Sequence, residues 1–293
     1  MEDKKEVKLT YEVPQLDLPD HIEFAGEQVP LEDPDVRERL DRELHVNTFW
    51  HSNTIFLLKR GHRWLPDIKR IISGYGIPAD IQYLAVIESD LLNVVSPSNA
   101  VGFWQLLKDT AIEYGLEVNK EVDERYDPLK STEAACKYLV KAHGKFGNWT
   151  NAAASYNIGM RGLQKGFDKQ GVTSYYDLLL GEETKRYVFR AIAVKSIFEH
   201  PGDYGFLLDE HSLYEKEKME VVVIDHSISN LADFAADQRI NYKILKRHNP
   251  WLRKNKLTVR NGKIYKILIP VKKTKTTANT SDKQVQVLDT AKQ

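Results

Sequence analysis

Helix-start signals and apolar residues at helical spacing constrain the fold of this chain more than any other feature. Asp33 and Asp127 each precede a proline, which suits the first position of a helix, and Asn148 precedes an Ala-rich segment. Between residues 33 and 200, apolar side chains recur three and four positions apart, the spacing of an amphipathic helix. The pattern therefore predicts a mainly α-helical protein.

Glycines and prolines set the expected ends of the elements. We expect a first helix from Asp33 to Gly61, a second from about residue 64 to 73, and a third that opens at Pro78. Beyond residue 201 the pattern predicts a strand at 221–224, short helices at 229–237 and 241–247, and a last strand at 264–269, a small β-α-α-β unit. The Asn261-Gly262 pair also allows a local hairpin with residues 257–259.

Composition shifts divide the chain into five parts. The predicted parts are an extended N-terminal arm (1–32), a helical extension (33–76), a helical catalytic domain (77–208), the β-α-α-β module (218–271) and a flexible Lys/Thr/Gln-rich tail (272–293).

Charge and composition exclude several function classes. The 293 residues contain 42 Lys and Arg against 42 Asp and Glu, which argues against a strongly basic nucleic-acid binder. No apolar run reaches the roughly 18 residues of a transmembrane helix. The single cysteine, Cys136, excludes an intrachain disulfide and a Cys-based zinc site, and His45, His51 and His62 lack metal-ligand spacing. We therefore expect no metal and no cofactor.

One carboxylate continues an apolar helical stripe. Ile81, Leu84, Ala85 and Glu88 lie at i, i+3, i+4 and i+7, so they share a helix face. Burial disfavours the ionised carboxylate and raises its pKa, which would make Glu88 a candidate general acid. The alternative is a glutamate that reaches solvent or pairs with an arginine.

Two further segments combine aromatic area with polar groups, as a sugar site requires. They are Gly102-Phe103-Trp104-Gln105 and Ser155-Tyr156-Asn157-Ile158-Gly159. The alternative is that Trp104 and Tyr156 are ordinary core aromatics.

Taken in order, these segments resemble a known family. Glu88-Ser89, Gly102–Gln105, Tyr156–Gly159 and Glu183–Val188 are similar to the motif series of the soluble-lytic-transglycosylase-type catalytic domain, over about residues 77–200. The resemblance implies a lysozyme-like fold and Glu88 as the single catalytic acid/base. It implies substrate or site contacts for six further residues: Ser89, Trp104, Gln105, Tyr156, Asn157 and Tyr187.

The sequence departs from the family pattern at two places. Leu107-Lys108 stands where the family commonly has Met-Pro, and Asp90-Leu91 stands where it often has a small residue and an aromatic. We expect these differences to alter the turn after Gln105 and the edge of a subsite without removing the acid.

The resemblance implies cleavage of the bond between N-acetylmuramic acid and N-acetylglucosamine in peptidoglycan. A single acid suffices if the muramic C6 hydroxyl attacks C1 and forms a 1,6-anhydro sugar without water. One alternative is hydrolysis with a second carboxylate, for which Asp90, Asp109 and Glu113 are candidates. Another is a glycan-binding or scaffold protein that does not cleave.

The β-α-α-β unit resembles a LysM module, which binds N-acetylglucosamine-containing glycans. Asp225-His226 stands where such modules usually have Gly-Asp, so a module that only braces the enzyme is an equal alternative. The resemblance further implies peptidoglycan as partner and a bacterial periplasmic or outer-membrane-associated location. It also implies a lipid anchor that this sequence does not contain, and we expect a monomer.

Overall fold

The computed structural model describes residues 15–271 of the chain, so the predicted tail at 272–293 and the first 14 residues of the predicted arm lie outside the described residues. The described part is mainly helical, which confirms the predicted fold class. Its helices are α1 Pro34–Phe49, α2 His51–Gly74, α3 Gln82–Ser89, α4 Lys108–Glu113, α5 Pro128–Phe146, α6 Trp149–Ile158, α7 Met160–Gln170, α8 Glu182–Glu199, α9 Leu231–Asp237 and α10 Tyr242–His248. Its strands are β1 Glu23–Phe24, β2 Glu27–Gln28, β3 Met219–Ile224 and β4 Tyr265–Pro270.

Helix α3 lies at the centre of the larger core, between α2 and α8. Its residues Leu84, Ala85 and Val86 are fully buried. The helix ends at Ser89 because Asp90 adopts a left-handed conformation with φ of 55°. The last turn of α3, which carries Glu88, is therefore held inside the helical domain.

Side-chain caps start the helices where the sequence predicts them. The Asp127 carboxylate accepts hydrogen bonds from the backbone N–H groups of Leu129 and Lys130 at the start of α5. The Asn148 side chain accepts from the N–H of Asn151 at the start of α6. Each cap satisfies backbone donors that a helix leaves without partners.

The predicted helix end at Gly61 is wrong, because α2 continues through this residue and through Pro66 to Gly74. The break falls at Trp50 instead, between α1 and α2. A Cβ atom on Gly61 would overlap the Phe198 ring of α8. The glycine therefore permits close packing of two helices and does not end one.

The N-terminal arm, which was predicted to be extended, is folded onto the helical domain in its second half. Strands β1 and β2 form a small antiparallel hairpin, and Phe24 and Val29 are fully buried. The Glu27 carboxylate binds the N-terminus of α6, where it accepts from the backbone N–H and the hydroxyl of Thr150 at 2.9 and 2.7 Å. The residues that hold this segment in place lie more than 120 positions away along the chain, so local sequence patterns do not indicate these contacts.

The C-terminal residues form the predicted β-α-α-β order, with α9 and α10 between β3 and β4. The two strands are antiparallel, from the pair Met219 and Pro270 to the pair Ile224 and Tyr265. A local hairpin at Asn261-Gly262 does not form, because Leu257 pairs with Ile228 instead.

Helix α7 was missed by the sequence analysis. Its two glycines, at 162 and 166, weaken the helical signal there.

One loop of the helical domain joins the C-terminal module. Val122 lies in the module's apolar core, and the backbone N–H of Asp123 donates to the Trp251 carbonyl at 2.9 Å. The Arg253 N–H donates to the Glu121 carbonyl at 2.7 Å. The module is therefore packed against residues 117–126 by backbone pairing as well as by apolar contact.

Candidate active site

Glu88 lies in the last turn of α3 and faces α8. The Tyr187 hydroxyl, on α8, donates a hydrogen bond to Glu88 Oε1 at 2.6 Å. Tyr187 is almost fully buried, so this contact holds the carboxyl group in one orientation. The structure thus brings together two residues that the sequence placed in the same site from positions 99 apart.

The surroundings of Glu88 raise its pKa from 4.5 to about 7. Burial is the main cause, and the negative charge of Glu183 adds to it, while the Tyr187 hydrogen bond and the positive charge of Arg190 act in the opposite direction. A carboxyl group with a pKa near 7 is substantially protonated at neutral pH. Glu88 can therefore donate a proton and later accept one.

Ser89 is buried, and its hydroxyl donates to the Phe103 carbonyl at 2.9 Å. The contact ties the end of α3 to the turn at residues 102–105. Direct glycan binding, which the sequence analysis expected as one option, does not fit a hydroxyl directed into the protein.

The turn at 102–105 requires glycine at its first position. Gly102 has a φ of +81°, and a Cβ atom there would overlap the Arg125 carbonyl oxygen. Gln105 is half-buried with a φ of 44°, and its amide donates to the Gly102 carbonyl at 2.8 Å and the Val94 carbonyl at 3.2 Å. The Gln105 side chain therefore supports its own turn.

A buried ion pair holds the turn at residues 102–105 in place. Arg125 binds Asp123 through two nitrogens, at 3.0 and 2.8 Å. It also donates to the carbonyls of Asn99 and Leu106, each at 3.1 Å. Its structural role depends on loops about 20 residues away.

Trp104 cannot stack on a sugar, so its predicted role in substrate binding is wrong. The side chain is fully buried, and its indole N–H donates to the Thr132 hydroxyl at 2.8 Å. The alternative interpretation, a core aromatic, is correct for this residue. Its backbone carbonyl, however, accepts the Tyr156 hydroxyl at 2.8 Å.

Tyr156 is half-buried near Glu88, and its ring packs edge-on against Trp104 and Tyr138. Burial raises the pKa of Tyr156, and the Glu88 charge raises it further, so the phenol stays protonated. Asn157 links α6 to α8: its amide donates to Glu183 at 3.2 Å and accepts from the Thr184 hydroxyl at 2.7 Å. These contacts give Asn157 a structural role at the edge of the site.

The three candidate second carboxylates differ in their surroundings. Asp90 directly follows α3, and burial raises its pKa although Arg60 and Arg190 lie close by. Asp109 is exposed on α4, and Glu113 on the same helix pairs with Lys141 at 2.9 Å. A fourth carboxylate, Glu183, is close enough to affect Glu88 and was missed as a candidate, although it belongs to the quoted motif Glu183–Val188.

Arg190 was also missed. It lies three residues after Tyr187 on α8, so the helical period places both on one face, and it donates to the Ile87 carbonyl at 3.1 Å. That spacing was the sequence signal that could have identified Arg190.

Within residues 15–271, no group of three His, Cys, Asp or Glu side chains could hold a metal ion. Cys136 is buried and its pKa is raised to about 12, so its thiol is not a nucleophile at neutral pH.

Two family descriptions match the chain. Residues 72–178 match the transglycosylase SLT domain, and residues 220–273 match the soluble lytic transglycosylase C-terminal LysM-like domain. The matches confirm the two resemblances that the sequence motifs indicated.

Curated relatives match part of the chain. The membrane-bound lytic murein transglycosylase D of Escherichia coli (strain K12) is 27% identical over 194 residues, which cover 63% of this chain and 42% of the relative. The same protein of Escherichia coli O6:H1 (strain CFT073) gives the same values. A protein of Alteromonas sp. (strain M-1), named for tributyltin chloride resistance, is 32% identical over 102 residues, 34% of this chain and 49% of the relative. The chain thus matches less than half of the length of each of these relatives.

Proposed function

We propose that this chain, which carries a transglycosylase SLT domain followed by a LysM-like domain, cleaves the glycan strands of peptidoglycan with Glu88 as acid/base. The observation that carries the proposal is the partly buried Glu88 carboxyl, with its pKa near 7 and its orientation held by Tyr187. The name of the Escherichia coli relatives, which are lytic murein transglycosylases, supports the same substrate.

In the proposed reaction Glu88 first protonates the oxygen between N-acetylmuramic acid and N-acetylglucosamine, and that bond breaks. The ionised Glu88 then takes the proton of the muramic C6 hydroxyl, whose oxygen bonds to C1. The product is a 1,6-anhydro sugar, and water is not consumed. The Tyr187 hydrogen bond stabilises the ionised form between the two proton transfers.

Replacement of Glu88 tests the assignment directly. Glu88→Gln keeps the shape of the side chain but cannot donate a proton, so we expect loss of turbidity clearance of peptidoglycan suspensions with sedimentation on the same material retained. Glu182→Gln is the matched control, because Glu182 is four-fifths exposed in the first turn of α8. Lysis by Glu88→Gln at the parental rate would refute the role of Glu88.

A lysozyme-type hydrolase is the second candidate, because Glu183 lies close enough to raise the pKa of Glu88. Mass spectrometry of the released muropeptides separates the two reactions. Anhydro products support the non-hydrolytic reaction, whereas fragments heavier by one water establish hydrolysis. A chain that binds peptidoglycan and releases no fragments would be the scaffold protein of the third alternative.

The contacts of the LysM-like domain favour a bracing role over glycan binding. Its aromatic residues Trp251 and Tyr265 stack on each other with ring centres 5.7 Å apart, and both are buried beside the loop at 117–126. A chain that ends at residue 216 and carries Glu88→Gln, with helical content checked by circular dichroism, should sediment with peptidoglycan as the longer chain does. Loss of sedimentation by a folded truncated chain would establish glycan binding by the domain.

A peptidoglycan substrate and the membrane-bound relatives support a location in the bacterial envelope. In the part of the chain that the structure covers, no helix has the length and apolar character to cross a membrane. Fractionation of cells that produce the chain with its natural N-terminus tests the location.

A further inference from the structure

The chain turns sharply directly after α3, two residues beyond Glu88. Asp90 and Leu91 both have a φ of 55°, in the left-handed region that disfavours any residue with a Cβ atom. The surrounding structure must therefore hold both residues in this conformation. Leu91 is fully buried, so its own side chain fixes it in the core. Asp90 is only half-buried, and its conformation depends on other contacts.

Two arginines from neighbouring helices bind backbone carbonyl groups around this turn. Arg60, on α2, donates through Nε to the Asp90 carbonyl at 2.6 Å. Arg190, on α8, donates through Nη2 to the Ile87 carbonyl at 3.1 Å. Carbonyl groups at the end of a helix lack intrahelical donors and carry partial negative charge, so guanidinium groups suit them. The two contacts are made one residue before Glu88 and two residues after it, and they connect the last turn of α3 to both neighbouring helices.

Arg190 also acts on the two carboxyl groups at this turn. Burial raises the pKa of Glu88 to about 7 and raises that of Asp90 as well. The positive charge of Arg190 acts against burial at both residues, and Arg60 does the same at Asp90. Asp90 therefore has two guanidinium groups as counterions, whereas Glu88 has one.

The charged and titratable groups that act on Glu88 come from two helices. Tyr187, Glu183 and Arg190 act on it from α8, and Tyr156 interacts with its charge from α6. Of these four groups, Arg190 supplies the positive charge. The proposed reaction forms an ionised Glu88 between its two proton transfers, and a nearby guanidinium group stabilises that state.

We infer that Arg190 is a positioning residue of the proposed active site, which holds the last turn of α3 through the Ile87 carbonyl and stabilises the ionised form of Glu88 by its charge. The kinetic part of the inference rests on the proposed function. The contact and the charge effect do not, so they can be measured on a chain that does not turn over.

Carbon-13 NMR titration of the glutamate carboxyl groups tests the charge effect without turnover. The Glu88 signal is identified by its absence from the spectrum of Glu88→Gln. We expect the Glu88 pKa to rise by about 1 unit in Arg190→Gln and to stay at the parental value in Arg190→Lys, which keeps the charge. Arg70→Gln, at a side chain that is 70% exposed on α2, is the matched control and should leave the Glu88 pKa unchanged.

An unchanged Glu88 pKa in a folded Arg190→Gln chain would overturn the inference. Circular dichroism checks the fold of each variant. If Arg190→Gln does not fold, Arg190→Met, which is also uncharged, takes its place in the titration. Failure of both uncharged variants to fold, beside a folded Arg190→Lys, would overturn the inference in favour of a purely structural role.

Turnover separates this inference from the proposed function. With peptidoglycan as substrate, we expect Arg190→Gln to lower kcat about tenfold with KM within a factor of about two, and to move the fall of kcat/KM to higher pH. Arg190→Lys should keep the parental pH profile. A parental kcat and pH profile in Arg190→Gln, or a rise in KM alone, overturns the positioning role and leaves the proposed function intact. Absence of cleavage by the parent chain overturns the proposed function, and the NMR titration then still decides whether Arg190 acts on Glu88.

Discussion

The environment that makes Glu88 a candidate acid also lowers the free energy of unfolding when Glu88 is ionised. The folded chain holds the Glu88 proton up to a pKa of about 7, whereas an unfolded glutamate releases it near 4.5. Between these values the folded state binds more protons, so the free energy of unfolding falls as the pH rises from 4.5 to 7. About one pH unit above 7 the loss from this residue is nearly complete, and it amounts to roughly 3 kcal/mol.

Glu88→Gln should therefore be more stable than the parent chain at high pH. Glutamine resembles the protonated glutamate and carries no charge to desolvate, so we expect a Tm several degrees higher at pH 8 and little difference at pH 4. Differential scanning calorimetry at both pH values measures the effect. Glu182→Gln, at an exposed position, should show no such pH-dependent gain. Equal Tm values for Glu88→Gln and its parent at pH 8 would contradict the burial cost.

Tyr187→Phe should shift the pH profile upward. The Tyr187 hydroxyl stabilises the ionised Glu88, so its removal raises the Glu88 pKa above about 7. A hydrogen bond to a charged group contributes about 1.5–3 kcal/mol, which corresponds to roughly 1–2 pH units. Because the free enzyme must carry the acid protonated, kcat/KM should begin to fall at a correspondingly higher pH than in the parent chain.

The control for this profile is Tyr204→Phe, which removes a phenol from the turn after α8 and should leave the curve in place. A profile for Tyr187→Phe that falls at the parental pH or below would show that the hydroxyl does not stabilise the carboxylate.

Residue positions were predictable where they depend on spacing within one helix. The position of Glu88 on the inner face of α3 follows from its distance to Ile81, Leu84 and Ala85. The burial of Trp104 could not be predicted in this way, because its partner Thr132 lies 28 residues further along the chain. The same holds for the Ser89 hydroxyl, whose acceptor is the Phe103 carbonyl on another loop.

At the scale of elements, helix starts were predicted better than helix ends. A cap such as Asp127 acts on backbone groups two and three residues away, so its signal is local. Gly61 gives no such local signal, because the Phe198 ring that leaves no room for a side chain at this position belongs to α8. A glycine in a sequence can end a helix or admit a neighbouring one, and only the packing distinguishes the two.

Gly61→Ala should destabilise the helical domain. The new methyl group would overlap the Phe198 ring, and overpacking of this kind costs typically about 1–3 kcal/mol, more than the gain of about 1 kcal/mol in helix propensity. Urea unfolding followed by circular dichroism measures the change. Gly144→Ala in α5 is the matched control: a Cβ atom there meets nothing within 4 Å, so the substitution should stabilise by about 0.5–1 kcal/mol. Stabilisation by both substitutions would contradict the packing role of Gly61.

At the scale of the whole molecule, both ends of the described chain pack onto the helical domain. The N-terminal hairpin binds the start of α6 through Glu27, and the C-terminal module takes Val122 into its core. The sequence predicted the order of the parts but not these joints, because each joint is made by a few residues far apart in the chain. The charged side chains at the contact between residues 117–126 and the C-terminal module form no local sequence pattern that would indicate this contact.

The joint at residues 117–126 contains hydrogen bonds to carboxylates and a cation–π contact as well as apolar contacts. The Tyr265 hydroxyl donates to Glu117 at 3.1 Å, and the Thr258 N–H donates to Glu121 at 2.9 Å. The Arg253 guanidinium lies 3.7 Å from the centre of the Tyr126 ring. Since Val122 is 1% exposed between the two parts, we expect the helical domain and the module to unfold together.

Val122→Asp should uncouple them. The substitution puts an unpaired carboxylate into the apolar core of the module without changing any residue of the module itself, so the module loses its support and melts first. Calorimetry should show one transition for the parent chain and two for the variant, with faster amide exchange in β3 and β4. Val221→Ser, on the exposed face of β3, is the control that should keep one transition. A single transition with unchanged exchange in Val122→Asp would mean that the coupling of the two parts does not depend on Val122.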